Sequence, residues 1–270
     1  MDKKLIALDL DGTTLNNQSI ITPRTESILN SLQKQGHIVS IATGRPYRNS
    51  HFYYDQLKMD TPIVNFNGAL LHKPREIHWD KQYHRTLKRD VALELATLKE
   101  DEGVSMIAAE TKDAVYVTDS FVPYKDFFPN GNKDTRIFNA TNLKEDPTSV
   151  SIFTYSLEMQ PIIKEKIIAK FGDEIEVRTW GGFAPCLEVV SAGVQKAMGV
   201  EQISFHYGIK QENILAFGDE DNDYEMIQYA GHGVAMLNGI DELKKIASDV
   251  TFKNNHDDGL ADYLEKYFKI

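Results

Sequence analysis

The chain has 270 residues, 41% of them hydrophobic and 26% charged, with 40 acidic against 30 basic side chains and a formal charge of −10. This is the composition of an ordinary globular protein of one large domain or two smaller ones. The acidic balance argues against a surface for nucleic acid or for an anionic membrane, and the single cysteine, Cys186, excludes an internal disulfide and suits a reducing cytoplasm, the expected location.

The first apolar run, "LIALDL", is short and interrupted by Asp9, so neither a signal peptide nor a spanning helix is expected there. It reads as the first strand. The stretch "TPRTESILNSLQKQG" predicts a helix that opens on Thr22-Pro23, places Ile28, Leu29 and Leu32 on one face and stops at Gly36. A second strand is expected in "HIVSIATG", a helix in "RPYRNSHFYYDQL" and a third strand in "PIVNFNGAL". Unbroken apolar strands alternating with helices imply a parallel sheet covered on both faces.

The middle of the chain changes style. "DVALELATLKED" and "QPIIKEKIIAKFG" are helical, "VSMIAAE" and "AVYVTD" form an antiparallel pair, "SVSIFTYS" is another strand, and a hairpin turns at Gly181 and Gly182 beside Trp180. Near the end the first style returns, with strands in "NILAFGDE", "GHGVAML" and "DVTFK", helices between them, and a closing helix in "GLADYLEKYFKI". The expected architecture is therefore an α/β core built from residues 1–81 and 189–270, a Rossmann-like and mostly parallel sheet, with an α+β domain inserted over residues 82–188.

Ligands of open parallel sheets bind beyond the carboxyl ends of the strands. The first strand delivers Asp9 and Asp11 there; as residues i and i+2 of a strand they would share one face. The second delivers Thr43, Gly44 and Arg45, the third Asn67 and Gly68, and "GDEDND" delivers Asp219 to Asp223. Clustered carboxylates repel one another and raise their own pKa values, a problem removed by Mg²⁺ held by carboxylates and substrate phosphate oxygens. A solvated acidic rim is the competing reading of residues 219–223. Arg45 before Pro46, and Lys196 in "SAGVQKAMGV", each fall in an expected first helical turn, where a cation is disfavoured by the helix dipole unless an anion is bound. Taken alone, each reads more readily as a solvated side chain, and Thr43 reads also as a simple helix cap. Cys186 reads as a small buried hydrophobe, Tyr53, Tyr54, Phe127 and Phe128 as packing residues, and the histidines lack ligand spacing.

These residues resemble the haloacid dehalogenase superfamily. "DLDGTTL" is similar to its first motif, Thr43-Gly44 to its second, Lys196 to its third and "GDEDND" to its fourth, in order and spacing across essentially the whole chain. "NFNGAL", "GHGVAMLNG" and "NNHDDGL" further resemble the Cof-like branch of small-molecule phosphatases, whose α/β cap is inserted between motifs two and three. The resemblance implies that Asp9 attacks phosphorus to form an aspartyl-phosphate, and that Asp11 protonates the leaving group, activates water and offers its backbone carbonyl to Mg²⁺. It implies further that Leu10, Thr43 with its neighbouring amides, Gly44, Lys196 and Asn222 surround the phosphate. Arg45 would then lie near the substrate, with Asp9, Asp11 and Asp219 at the metal and Asp223 in support. The cap would set specificity.

Some positions depart from the branch. Gln195 and Ala197 flank Lys196 where Ser and Gly are common, and Leu237 and Gly239 stand around Asn238 in place of glycine and alanine. None of these removes a reacting group, so they bear on substrate shape. The implied function is a Mg²⁺-dependent phosphatase of small phosphorylated metabolites such as sugar phosphates or phosphorylated cofactors. A phosphomutase using the same intermediate and a non-catalytic metabolite-binding protein are the alternatives. The implied partner is a small phosphate ester, not nucleic acid or membrane; a monomer is compatible with the sequence, which does not fix the oligomeric state.

Overall fold

The computed structural model of the chain describes residues 2–76, 78–119, 122, 128, 135–179 and 185–270. The turn at Gly181 and Gly182 with Trp180, and Phe127, lie outside the described residues. From the N-terminus the elements are β1 (Leu5–Leu8), α1 (Pro23–Lys34), β2 (Ile38–Ile41), α2 (His51–Gln56), β3 (Ile63–Asn65), β4 (Leu70–His72) and β5 (Tyr83–His84). Then come α3 (Arg89–Ala96), β6 (Val104–Glu110), β7 (Val115–Val117), β8 (Thr135–Ile137), β9 (Ser149–Thr154), α4 (Met159–Phe171), β10 (Ile175–Thr179) and β11 (Cys186–Ser191). The chain finishes with α5 (Lys196–Tyr207), β12 (Ile214–Gly218), α6 (Tyr224–Tyr229), β13 (His232–Ala235), α7 (Asp241–Ile246), β14 (Asp249–Val250) and α8 (Gly259–Phe268). It divides into two compact units, residues 1–83 with 195–270, and residues 84–194.

The first unit is an α/β fold around a five-stranded sheet of order β14-β13-β12-β1-β2, parallel throughout. Its central strands are apolar on both faces because helices cover both. Ile6 and Leu8 of β1 join Phe217 of β12, Leu29 and Leu32 of α1 and Leu264 of α8 in one core layer. Leu5 and Ala7 face the other way, onto Val200 and Ile203 of α5 and Met226 of α6. The strand alternation of period two thus sorts an unbroken hydrophobic run into two separate cores. Helix α1 starts where the Thr-Pro pair predicts, the Thr22 hydroxyl accepting from the Thr25 amide at 3.2 Å.

Two expectations for this unit need correction. "PIVNFNGAL" is not one strand. β3 and β4 pair antiparallel around Phe66, Asn67 and Gly68, and only a single bridge from Ala42 to Val64 links the hairpin to the parallel sheet. The reason is three successive left-handed residues, Phe66 at φ 51°, Asn67 at 54° and Gly68 at 106°, which no strand accommodates. For Phe66 and Asn67 such backbone costs about 1–3 kcal/mol each. The helix expected over "RPYRNSHFYYDQL" is likewise interrupted. A 3₁₀ turn covers Tyr47–Asn49 and α2 begins only at His51, so Arg45 does not sit in a first helical turn.

The second unit has a six-stranded sheet of order β10-β11-β9-β6-β7-β8, antiparallel except for β7 with β8. Ala92 and Leu95 of α3 and Ile163 and Ile167 of α4 pack with Ile107, Ile152 and Val189 from one face of it. Met106, Ala108, Phe153 and Cys186 line the other, where Cys186 is fully buried. No helix among the described residues is long and apolar enough to cross a membrane.

Phe217 is fully buried in the central strand β12 and meets Tyr263 of α8 edge to face at a centroid distance of 5.5 Å. Phe217→Ala is expected to destabilise the first unit by about 3–5 kcal/mol, seen as a lowered urea midpoint with an unchanged m-value.

Candidate active site

The carboxyl ends of β1 and β12 are neighbours, and everything chemically unusual in the first unit gathers there. The Asp9 amide donates to the Phe217 carbonyl at 3.1 Å, one last sheet-like bond after β1. The chain then turns sharply over Leu10–Thr14, with Gly12 at φ +70°. A Cβ at Gly12 would stand 2.0 Å from Asp219 Oδ2, so glycine is what lets Asp219 close onto this loop. Because the strand ends at Leu8, the alternation rule does not govern Asp9 and Asp11, and their carboxylates have different partners instead of sharing one face.

Asp9 is buried. The Lys196 ammonium donates to Asp9 Oδ1 at 2.6 Å and to Asp223 Oδ1 at 2.7 Å. Lys196 is the first residue of α5 and fully buried, so the solvated reading of that lysine is overturned. Asp223 is fixed from its other oxygen, which accepts from the amides of Asp219 and Glu220 at 2.9 and 3.2 Å. Thr13 donates its hydroxyl to Asp219 Oδ1 at 2.8 Å. One oxygen from each of Asp9, Asp219 and Asp223 lies within 4.8 Å of the others, and all three residues are buried. That removes the solvated-rim reading for Asp219 and Asp223.

Asp11 stands apart from this cluster. Its side chain is 57% exposed, and Arg45 grips it with two bonds, Nε to Oδ2 at 2.7 Å and Nη2 to Oδ1 at 2.5 Å. The same guanidinium lies 5.5 Å from the centroid of the Tyr53 ring. Thr43 is fully buried, its Oγ1 accepting from the Arg45 amide at 3.1 Å, a bond that leaves the hydroxyl hydrogen as a donor. A Cβ on Gly44 would meet Asn67 Oδ1 at 3.1 Å. The Leu10 side chain belongs to the hydrophobic core, which leaves only its backbone for a ligand. Asn222 donates from Nδ2 to Asn67 Oδ1 at 2.9 Å.

Charge decides what the cluster can hold. Burial, with Asp223 and Asp11 nearby, pushes the Asp9 carboxyl up to about 7 despite Lys196. Burial and then Asp9 and Asp223 raise Asp219 well above the ordinary carboxylate range. Lys196 goes the other way from an isolated buried lysine: burial pulls its pKa down, but Asp223 and Asp9 more than offset this and hold it charged. One ammonium among three carboxylates leaves a negative excess, and the donors are all oxygen. That set fits a hard divalent cation of the Mg²⁺ kind.

Several supporting residues had no assigned role in the sequence. The Asn238 amide donates to the Gly12 carbonyl at 2.8 Å, the Asn255 amide N–H donates to Asn238 Oδ1 at 2.8 Å, and Asn255 Nδ2 to the Leu15 carbonyl at 2.8 Å. The stretches "GHGVAMLNG" and "NNHDDGL" therefore brace the loop that carries Asp9 and Asp11. Their asparagines were visible as part of a pattern, but their target, a backbone carbonyl more than 200 residues away, was not.

Comparison with known proteins identifies the family. The family model for haloacid dehalogenase-like hydrolases matches residues 6–264. The chain is 41% identical over 267 residues to a 5-amino-6-(5-phospho-D-ribitylamino)uracil phosphatase of Bacillus subtilis, covering 98% of each protein. It is 27% identical over 289 residues to a second Bacillus subtilis phosphatase of the same description, covering 97% of each protein.

 Among solved structures, a haloacid dehalogenase-like hydrolase from Bacteroides thetaiotaomicron superposes with a TM-score of 0.84 at 27% identity, covering 99% of this chain and 100% of that one.

The raised carboxyls make a pH-dependent stability. Their folded pKa values lie above the ordinary 3.8, so between about 4 and 7 the folded protein holds more protons at this cluster than the unfolded chain does. The cluster's contribution to stability then falls as pH rises through that window. In EDTA, thermal melts are expected to show this loss. The melting-point gain on adding Mg²⁺ should grow from pH 5 to pH 7.5, because a cation competes with protons for the same oxygens. A Mg²⁺ effect that is absent, or independent of pH, would remove the cation from this cluster.

Proposed function

Because the chain belongs to the haloacid dehalogenase-like hydrolase family and is a phosphatase, we propose that it hydrolyses small phosphate monoesters with Mg²⁺ as cofactor and Asp9 as nucleophile. The observation that carries this reading is the buried constellation of Asp9, Lys196, Asp223 and Asp219 at the carboxyl ends of β1 and β12. Asp9, Asp219 and Asp223 would hold Mg²⁺, together with the Asp11 backbone carbonyl; when bound, the ion neutralises charge shared by the carboxylates and the phosphate.

In the first step an Asp9 carboxylate oxygen bonds to phosphorus while the bond from phosphorus to the ester oxygen breaks. Asp11 gives its proton to the departing alkoxide. In the second step Asp11 takes a proton from water, whose oxygen bonds to phosphorus as the aspartyl–phosphorus bond breaks. Inorganic phosphate leaves and Asp9 is restored. Lys196 holds the Asp9 carboxylate in one orientation throughout, and Thr43, Asn222 and the amides at Leu10 and Gly44 supply donors to the phosphoryl oxygens. Arg45 fixes Asp11 and offers a cation to the substrate.

An alkyl phosphate has a poor leaving group and needs a general acid, which is the part assigned to Asp11. The two Bacillus subtilis relatives are phosphatases of 5-amino-6-(5-phospho-D-ribitylamino)uracil, an ester of that kind, and we take it as the first substrate to test. The inserted unit, residues 84–194, is read as the part that sets specificity.

Phosphate release from this ester is expected to exceed that from common sugar phosphates by about tenfold or more in kcat/KM, a difference of roughly 1.4 kcal/mol in transition-state binding. If a broad panel of phosphate esters, this one included, yields no phosphate with Mg²⁺ present, the reading fails. Asp9→Asn should lower kcat by about 10⁴-fold or more while leaving the melting temperature of the Mg²⁺-free protein at or above that of the wild type. Wild-type turnover without deamidation back to Asp would remove Asp9 as nucleophile.

A further inference from the structure

The left-handed turn Phe66–Asn67–Gly68 touches three other segments at the site. The Asn67 amide donates to the Thr43 carbonyl at 3.1 Å, and the Phe66 amide donates to the Arg45 carbonyl at 3.3 Å. Asn65 Nδ2 donates to the same Arg45 carbonyl at 2.8 Å. A Cβ on Gly68 would lie 2.2 Å from the Gln195 carbonyl oxygen and 3.1 Å from the Lys196 amide nitrogen, so the turn lies directly against the start of α5. Asn67 Oδ1 accepts from Asn222 Nδ2 at 2.9 Å. One strained turn therefore meets the loop of Thr43, the helix of Lys196 and the loop of Asn222.

We infer that Asn67 is a positioning residue of the phosphatase, which orients the Asn222 carboxamide toward the transferring phosphoryl group. A primary amide has two N–H donors in one plane. Asn67 engages one and thereby fixes the plane and direction of the other. Asn67 is 2% exposed and held in the left-handed region at φ 54°, a conformation that asparagine tolerates better than most residues. Its placement is thus set by backbone strain and by the Thr43 carbonyl, before any ligand arrives.

This proposal rests on the phosphatase reading, and its test separates the two. Asn67→Gly keeps the left-handed backbone and deletes the acceptor, while Asn222→Ala deletes the donor. Each single variant is expected to lower kcat/KM for para-nitrophenyl phosphate by about tenfold, and the double variant by less than about twofold more than either alone. Asn67→Asp keeps the accepting oxygen, so in that background Asn222→Ala is expected to show its full tenfold loss. The same cycle is read independently of turnover as the dissociation constant of inorganic phosphate, titrated calorimetrically onto the Mg²⁺-loaded protein. Losses that multiply in the Asn67→Gly cycle, in either readout, overturn the positioning role and leave Asn67 as a part of the turn only. A wild type that releases no phosphate from any ester, yet shows the coupled cycle in phosphate binding, overturns the phosphatase reading and keeps this one.

Discussion

A fully buried lysine ammonium between two buried carboxylates organises the first unit. Lys196 hydrogen-bonds Asp9, just after β1, and Asp223 from the loop after β12, so it joins two chain segments more than 200 residues apart. Taking these ions out of water is costly, and their attraction compensates only where the geometry is good and the remaining lone pairs are met. Here the other oxygen of Asp223 accepts from two backbone amides, and Thr13 donates to Asp219. The residual negative charge is what suits the cluster to a cation and to an anionic ester together.

That arrangement depends on backbone shapes that few residues adopt. Gly12 admits Asp219 to the first loop, and the Phe66–Asn67–Gly68 turn lets the second loop, α5 and the Asn222 loop share one support. Strain of this kind persists only where surrounding contacts over-determine it. The parallel sheet supplies those contacts: β1 and β12 are flanked on both sides and packed on both faces, so their ends are rigid platforms. Asp9 and Asp219 sit directly after those strands.

The two first-loop acids differ in their surroundings. Asp9 is buried against Lys196 and Asp223, where a carboxylate is held in one orientation. Asp11 is more than half exposed and paired to Arg45 through both carboxylate oxygens. Two residues apart in the chain, they differ because the strand ends before Asp9 and Gly12 turns the backbone away.

The sequence by itself determined the α/β core with its helix-covered parallel sheet and the α+β insertion, and it marked Asp9, Thr43, Lys196 and Asp219 as candidates. These were legible because apolar periodicity is local and because the motifs are short and ordered. Only the tertiary structure decided that Lys196 is buried between Asp9 and Asp223, that Asp11 pairs with Arg45, and that Asn238 and Asn255 brace the first loop. It also decided that "PIVNFNGAL" folds back on itself, since an apolar run looks the same whether it continues as a strand or reverses through left-handed residues. In each case the deciding contact joins residues far apart in the chain, and long-range proximity is set by how helices and strands pack, which no local pattern records.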